Sequence, residues 1–510
     1  MITKLARKKT KIIEIKAGKI QGYIDKDISI FKGIPYAEPP IGELRLNTPV
    51  LKIYWDGVLE AINFGPIAPQ PPPFTKYIPP PPQSEADCLT LNIWTPNIDD
   101  QSRPVMVWIH GGSHIYGSGQ FYGNNLARRG DVVVVTFNYR LGALGNLYFP
   151  DAPSNILQMD QVAALKWVNK NIGFFGGDPD NLTVFGESAG ATSICTLMAM
   201  PLAKGLFKRA IIQSGAPTPN GFNLSDRKLT TEWMIKELKL NPYDLEEFRK
   251  LPTEKIIKAT IKVQAKALAK NITNIGFRPW VDGDIVPQHP IKAVNEGYAK
   301  ELELIIGTNL EEWKFWRAFE PNFRDMDLST LTTRLQYSGV EENDLDQIIN
   351  TYKKSLEEND PPSTPRDIFD MYMTDSRFRI PSIKFAEAQS KHQKDTYMYL
   401  FAWKTPFEGG KYGALHALEI AFVFHTLMNE YLWIFPKRTE ETVSLSEKMM
   451  DYWISFAETG NPECEGVLNW PQYNIDKRET IKFDTNVEVI EDPLGKEREM
   501  WNKMKEWSEF

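Results

Sequence analysis

An α/β fold with a large, mostly parallel central sheet flanked by helices is what this 510-residue sequence predicts, and three observations predict it. Several short segments rich in Val, Ile and aromatic residues end in Gly, Pro or Asn, which marks strands. Most of them are continuous apolar runs and not alternating ones, as expected of strands buried on both faces. Helical stretches fall between them, and that alternation belongs to a parallel sheet.

Taken in chain order, the elements are as follows. The first twenty residues, MITKLARKKTKIIEIKAGKI, hold seven basic residues and one acid. Lysines protect sheet margins, so this stretch predicts a solvated edge strand. It lacks the apolar core of a secretory signal, and a cytoplasmic protein is expected. Residues 66–82, PIAPQPPPFTKYIPPPP, contain nine prolines and predict a stiff surface loop of polyproline II character. Strand-like sequence resumes at Leu89. The clearest strands are PVMVWIH (104–110), DVVVVTFNY (131–139), LTVFG (182–186), RAIIQSG (209–215), LELIIG (302–307) and TYMYLFAW (396–403). Helices are predicted over 160–171 and 189–200. Near the end, Leu445, Met449, Trp453 and Phe456 share one helical face and Gly460 supplies the stop.

Composition narrows the function classes. With 42% hydrophobic and 25% charged residues the chain is an ordinary globular one. A net charge of −7 offers nucleic acid no electrostatic footprint, and no run of about 18 apolar residues supports a membrane span. Cys88, Cys195 and Cys464 cannot all pair and lack metal-site spacing, so they are expected to be reduced thiols. No repeat or charge block divides residues 1–510, which read as a single domain with loop and helical insertions.

The chemistry-bearing signal follows the strand LTVF. There Gly186-Glu187-Ser188-Ala189-Gly190 leads into the helical ATSICTLMAM. The pattern recurs by chance in unrelated chains; its place between strand and helix gives it meaning. The turn is so sharp that residues two before and two after the serine must be small, while the hydroxyl is held out at the sheet's carboxyl edge. A serine needs a base, and the order serine, acid, histidine sorts the six histidines. His110 and His114 come too early, His289 precedes LELIIG, and His392 lies at the amino end of its strand. Of the remaining two, His416 follows TYMYLFAW across a loop and opens the helical HALEIAFVF, whereas His425 lies nine residues deeper. His416 is the predicted base. The orienting carboxylate should follow LELIIG, where Glu311 and Glu312 are both placed to fix the imidazole tautomer. An oxyanion requires preorganised donors, and His110-Gly111-Gly112-Ser113, directly after PVMVWI, supplies a backbone loop able to approach a substrate closely.

These residues resemble the type B carboxylesterase family, the α/β-hydrolases that include cholinesterases and bacterial para-nitrobenzyl esterases. The resemblance runs through FKGIPYAEPPIG (31–42), FGPIAPQ (64–70), DCLTLNIWTP (87–96), NYRLGALG (138–145), DQVAALKWVNKNIGFFGGDP (160–179), FGESAGA (185–191) and HALEIAFVF (416–424), and the last phrase is closest to the bacterial branch. It implies an α/β-hydrolase fold with Ser188 as nucleophile, Glu312 as triad acid and His416 as base. It also implies oxyanion donors at Gly112, Ser113 and Ala189.

Three departures stand out. Where the family usually has a third glycine this chain has Ser113, which would cost on the order of 1–2 kcal/mol if the site needs positive φ. His114 replaces a commonly apolar residue and would make the pocket wall polar. Secreted relatives bridge the position of Cys88 to an earlier cysteine, but that phrase here carries Ala68, leaving Cys88 without a partner. In addition SEADCL has one residue more than the family's acidic phrase, so its buried ion pair is not carried over.

The expectation is a serine carboxylesterase acting on small-molecule esters through an acyl-enzyme, with no metal or cofactor, as a monomer or weak homodimer. The alternatives are a catalytically silent binding module on the same fold, as in neuroligin-like relatives, and a hydrolase preferring amides or carbamates.

Overall fold

A computed structural model describes residues 8–72, 80–270, 272, 275–319, 326–359, 363–428 and 436–507. The chain forms two compact units. One comprises residues up to Ile211, Gly221–Pro290 and Ile454–Gly460; the other comprises Ile212–Asn220, Ile291–Trp453 and the residues from Asn461 on.

In the first unit the strands are β1 (Lys8–Lys9), β2 (Ile13–Ile15), β3 (Gly18–Gln21), β4 (Tyr23–Asp25), β5 (Ile28–Pro35), β6 (Val58–Glu60), β7 (Thr90–Thr95), β8 (Arg103–Ile109), β9 (Val133–Phe137), β10 (Gly177–Glu187) and the start of β11 (Arg209–Gln213). Their order in the main sheet is β1-β4-β5-β7-β9-β8-β10-β11, while β2, β3 and β6 make a small separate sheet. Pairing is antiparallel from β1 to β9 and parallel where β8 meets β9 and β10. The expected double burial is present: every residue of β7, β9 and β11 is buried. The margin strand β1 consists of two exposed lysines, as the edge reading requires. Residues 1–7 lie outside the described residues.

The second unit continues the sheet order from β11 through β12 (Glu303–Asn309), β13 (Thr396–Phe401), β14 (Glu479–Phe483) and β15 (Glu488–Glu491). Here β12, β13 and β14 pair in parallel, and β15 closes the run antiparallel. The result is the α/β-hydrolase sheet the sequence predicts, with antiparallel strands added at the ends. Helices Ile156–Asn171 and Ala189–Met198 fill the expected positions. The late amphipathic helix is Glu440–Thr459, with Leu445, Met449, Trp453 and Phe456 all buried and Gly460 at φ 83° ending it. No helix among the described residues is long and apolar enough to cross a membrane.

Two expectations need correction. The helical phrase after His416 is a helix only over Ile420–Val423, because Ala417 sits at φ 66°, which no right-handed helix accepts. The acidic phrase does supply a buried ion pair: Glu85 takes a bidentate bond from Arg45, both N···O distances 2.6 Å. Arg45 also donates to the Arg249 and Leu251 carbonyls, and Thr253 donates to Glu85. No disulfide joins Cys88, Cys195 or Cys464. Of the proline segment, residues 73–79 lie outside the described residues. Its ends are tied where Ile67 donates to the Pro82 carbonyl and Ser84 to that of Ile67.

Candidate active site

Strand β10 delivers Ser188 to the start of helix Ala189–Met198, and the backbone there is forced: Ser188 has φ 56° and ψ −121°. The flanking glycines explain how that conformation is held. A Cβ at Gly190 would lie 2.0 Å from the Ile109 carbonyl oxygen, and one at Gly186 would lie 2.6 Å from the same atom. Only glycine fits at either place, as the sharp-turn reading demands. Ser188 itself is half-buried, and its hydroxyl leaves the helix N-terminus where N–H groups favour negative charge.

The loop after β8 comes against this turn. A Cβ at Gly111 would meet the Glu187 carbonyl at 2.6 Å and the Ser188 Cβ at 3.1 Å, so the two backbones are in contact. Gly112 has φ 107°, and a side chain there would strike the Tyr116 carbonyl at 2.3 Å. The Ile115 and Tyr116 N–H groups both donate to the Gly112 carbonyl. Ser113 does take positive φ, 57°, and His114 follows at 60°. Two successive non-glycine residues are thus left-handed, each at a cost of about 1–2 kcal/mol. His114 is buried within the first unit and its ring meets Ser193 Oγ at 3.2 Å. His110 stacks on Tyr139 with ring centroids 4.2 Å apart, and burial pushes its pKa down to about 4.

Strands β12 and β13 position the other two residues. Glu312 is fully buried: its Oε1 accepts from the Asn309 N–H at 2.7 Å, and its Oε2 lies 2.6 Å from His416 Nδ1. Glu311, which spacing alone left equally eligible, instead accepts from the Ala414 N–H and pairs with Lys314. A second carboxylate, Glu419, lies behind this pair and accepts from Asn309 Nδ2 at 2.7 Å and Gln213 Nε2 at 3.0 Å. Burial, and then the Glu312 charge, hold the Glu419 pKa above the ordinary carboxyl value. Sequence reasoning passed over Asn309, Glu419 and Gln213; the signal for Glu419 is its position three residues after His416. Aromatic rings surround the imidazole: Phe378, Trp316 and Phe315 have centroids 4.7, 5.3 and 5.9 Å from it. His425 has a different task, with Nδ1 2.8 Å from Ser446 Oγ.

The structure thus brings Glu312 to His416 within one unit, and Ser188 to the Gly112–Ser113 loop and Ala189 within the other. Each half has the chemistry its residues suggest. One is a hydroxyl presented beside backbone donors; the other is an imidazole whose Nδ1 is held by a buried carboxylate, leaving Nε2 to exchange a proton.

Comparison with known proteins gives consistent findings. The carboxylesterase family description matches residues 9–501. The para-nitrobenzyl esterase of Bacillus subtilis (strain 168) is 38% identical over 96% of this chain and 98% of its own length. Phenmedipham hydrolase of Pseudarthrobacter oxydans is 32% identical over 94% and 97%. Among solved structures, a carboxylesterase of Geobacillus stearothermophilus has a TM-score of 0.85 at 34% identity, covering 96% of this chain and all of its own. A PNB esterase has a TM-score of 0.80 at 37% identity, covering 96% and 99%.

Proposed function

We propose, from the premise that this chain belongs to the carboxylesterase family and is a carboxylic-ester hydrolase, that its reaction runs through Ser188, His416 and Glu312. Ser188 Oγ attacks the ester carbonyl while His416 Nε2 takes its proton. Glu312 holds Nδ1–H and stabilises the imidazolium. The N–H groups of Gly112, Ser113 and Ala189 receive the oxyanion, each donor worth about 10²–10³ in rate. The alcohol leaves with the proton from His416, and water then cleaves the acyl-enzyme with the roles reversed.

One observation carries the reading: the left-handed Ser188 backbone between two glycines that nothing larger can replace. Backbone strain of that kind persists where the surroundings enforce it for a purpose. The test is hydrolysis of 4-nitrophenyl acetate and butyrate by the wild type and by Ser188→Ala. Full activity in the variant would refute the assignment. Labelling by an organophosphate separates a working triad from a silent binding module, and turnover of matched ester and anilide substrates ranks esters against amides. The same proposal takes the chain as one catalytic domain, acting in the cytoplasm on small-molecule esters as a monomer or weak homodimer.

A further inference from the structure

His114 has a place in the first unit that the proposed mechanism does not use. It closes a run in which Gly112, Ser113 and His114 all have positive φ, and its own carbonyl accepts from the Gly142 N–H at 2.7 Å. The ring is turned inward and is 2% exposed. Its Nε2 lies 3.2 Å from Ser193 Oγ, and the same oxygen accepts from Gln161 Nε2 at 3.0 Å. Ser193 is in the second turn of the helix that begins at Ala189, and Gln161 is on helix Ile156–Asn171. With the Gln161 amide donating to Ser193, the one hydroxyl hydrogen of Ser193 is free for Nε2. This arrangement needs a neutral imidazole, and burial, followed by the Arg278 charge, pushes the pKa down to about 3.

We infer that His114 is a positioning residue. It fastens the loop bearing the Gly112 and Ser113 N–H groups to the first turns of the helix bearing the Ala189 N–H, so that donors from separate segments keep one spacing. Its hydrogen bond to Ser193 supplies what the strained loop does not: an attachment to the helix that carries the third donor. The inference rests on the oxyanion assignment made above, and the experiment distinguishes the two.

The test compares His114→Phe, which fills similar volume without hydrogen bonds, with His114→Gln, whose amide retains a donor and an acceptor. One oxyanion donor is worth about 10²–10³ in rate, so displacing the set should lower kcat for 4-nitrophenyl butyrate about 10- to 100-fold with KM within about twofold. His114→Gln should recover most of that loss. A His114→Phe enzyme with kcat within about threefold of wild type, or a His114→Gln enzyme no better than it, overturns the inference. If His114→Phe does not fold, Ser193→Ala removes the same hydrogen bond from the helix side and is judged by the same kcat and KM criteria. Organophosphate labelling of the wild type at a residue other than Ser188 would instead sink the site assignment itself.

Discussion

Replacing Glu312 with glutamine tests how the proposed acid works, because the structure dictates which way the amide must face. Oε1 of Glu312 accepts from the Asn309 N–H at 2.7 Å, and that donor is buried. A glutamine must therefore keep its carbonyl oxygen towards Asn309, since the reverse would set N–H against N–H and leave a buried donor unpaired. Its NH₂ group is then aimed at His416 Nδ1, which sits 2.6 Å from the present Oε2. A donor there selects the tautomer with the hydrogen on Nε2, the nitrogen that has to receive the Ser188 proton. The corresponding amide substitution in a serine protease triad lowers kcat by about 10⁴, equivalent to about 5 kcal/mol of transition-state stabilisation. Glu312→Gln is expected to lose about 10³–10⁴ in kcat with little change in KM. Glu311→Gln is the matched control and should stay within about tenfold of wild type, because its carboxylate faces Lys314 and the Ala414 N–H instead. The assay is initial-rate hydrolysis of 4-nitrophenyl butyrate over a pH series. A Glu312→Gln enzyme within tenfold of wild type at neutral pH would refute the tautomer argument.

Two further outcomes follow from buried charge. Glu85→Gln strands the Arg45 guanidinium, which is 9% exposed in its side chain, and should destabilise by about 3–5 kcal/mol, whereas Arg45→Met with Glu85→Leu should be much milder; thermal inactivation midpoints of the three proteins check this, and a double variant as damaged as the single one contradicts it. Glu419 titrates above the ordinary carboxyl value of 4.5, so the folded state binds its proton more tightly than the unfolded chain does. That contribution to stability is complete below pH 4.5 and is lost as pH rises through the folded value, so Glu419→Gln should flatten the decline in inactivation midpoint from acid to neutral pH; parallel curves would exclude the effect.

Much of the framework was legible because burial on both faces leaves unbroken apolar runs such as VVVVTF, and a strand has little freedom to be anything else there. The turn at Ser188 was legible for a different reason: two glycines at fixed spacing report a steric demand, and the Ile109 carbonyl is the atom that makes it. What stayed hidden depends on side-chain direction or on distant partners. Spacing left Glu311 and Glu312 equal, and only the tight turn over Glu312–Ala318 sends one carboxylate inward and the other towards Ala414. The shortened helix after His416 follows from a positive φ at Ala417, a conformation that alanine does not advertise. Arg45 and Glu85 are 40 residues apart, so counting residues within the acidic phrase could not reveal the pair. Strands β14 (ETIKF) and β15 (EVIE) are short and include charged residues, and their apolar content lies below what a strand pattern needs to stand out.

The backbone geometry at Ser188 has a consequence for when energy is spent. A hydroxyl held in place by Ile109, Gly186 and Gly190 needs no substrate to swing it into line, because the distortion is set as the chain folds and stays in place between one ester and the next. The enzyme carries that tension as a permanent reduction of its own stability. Substitutions that relax the turn should therefore yield hardier proteins that work more slowly.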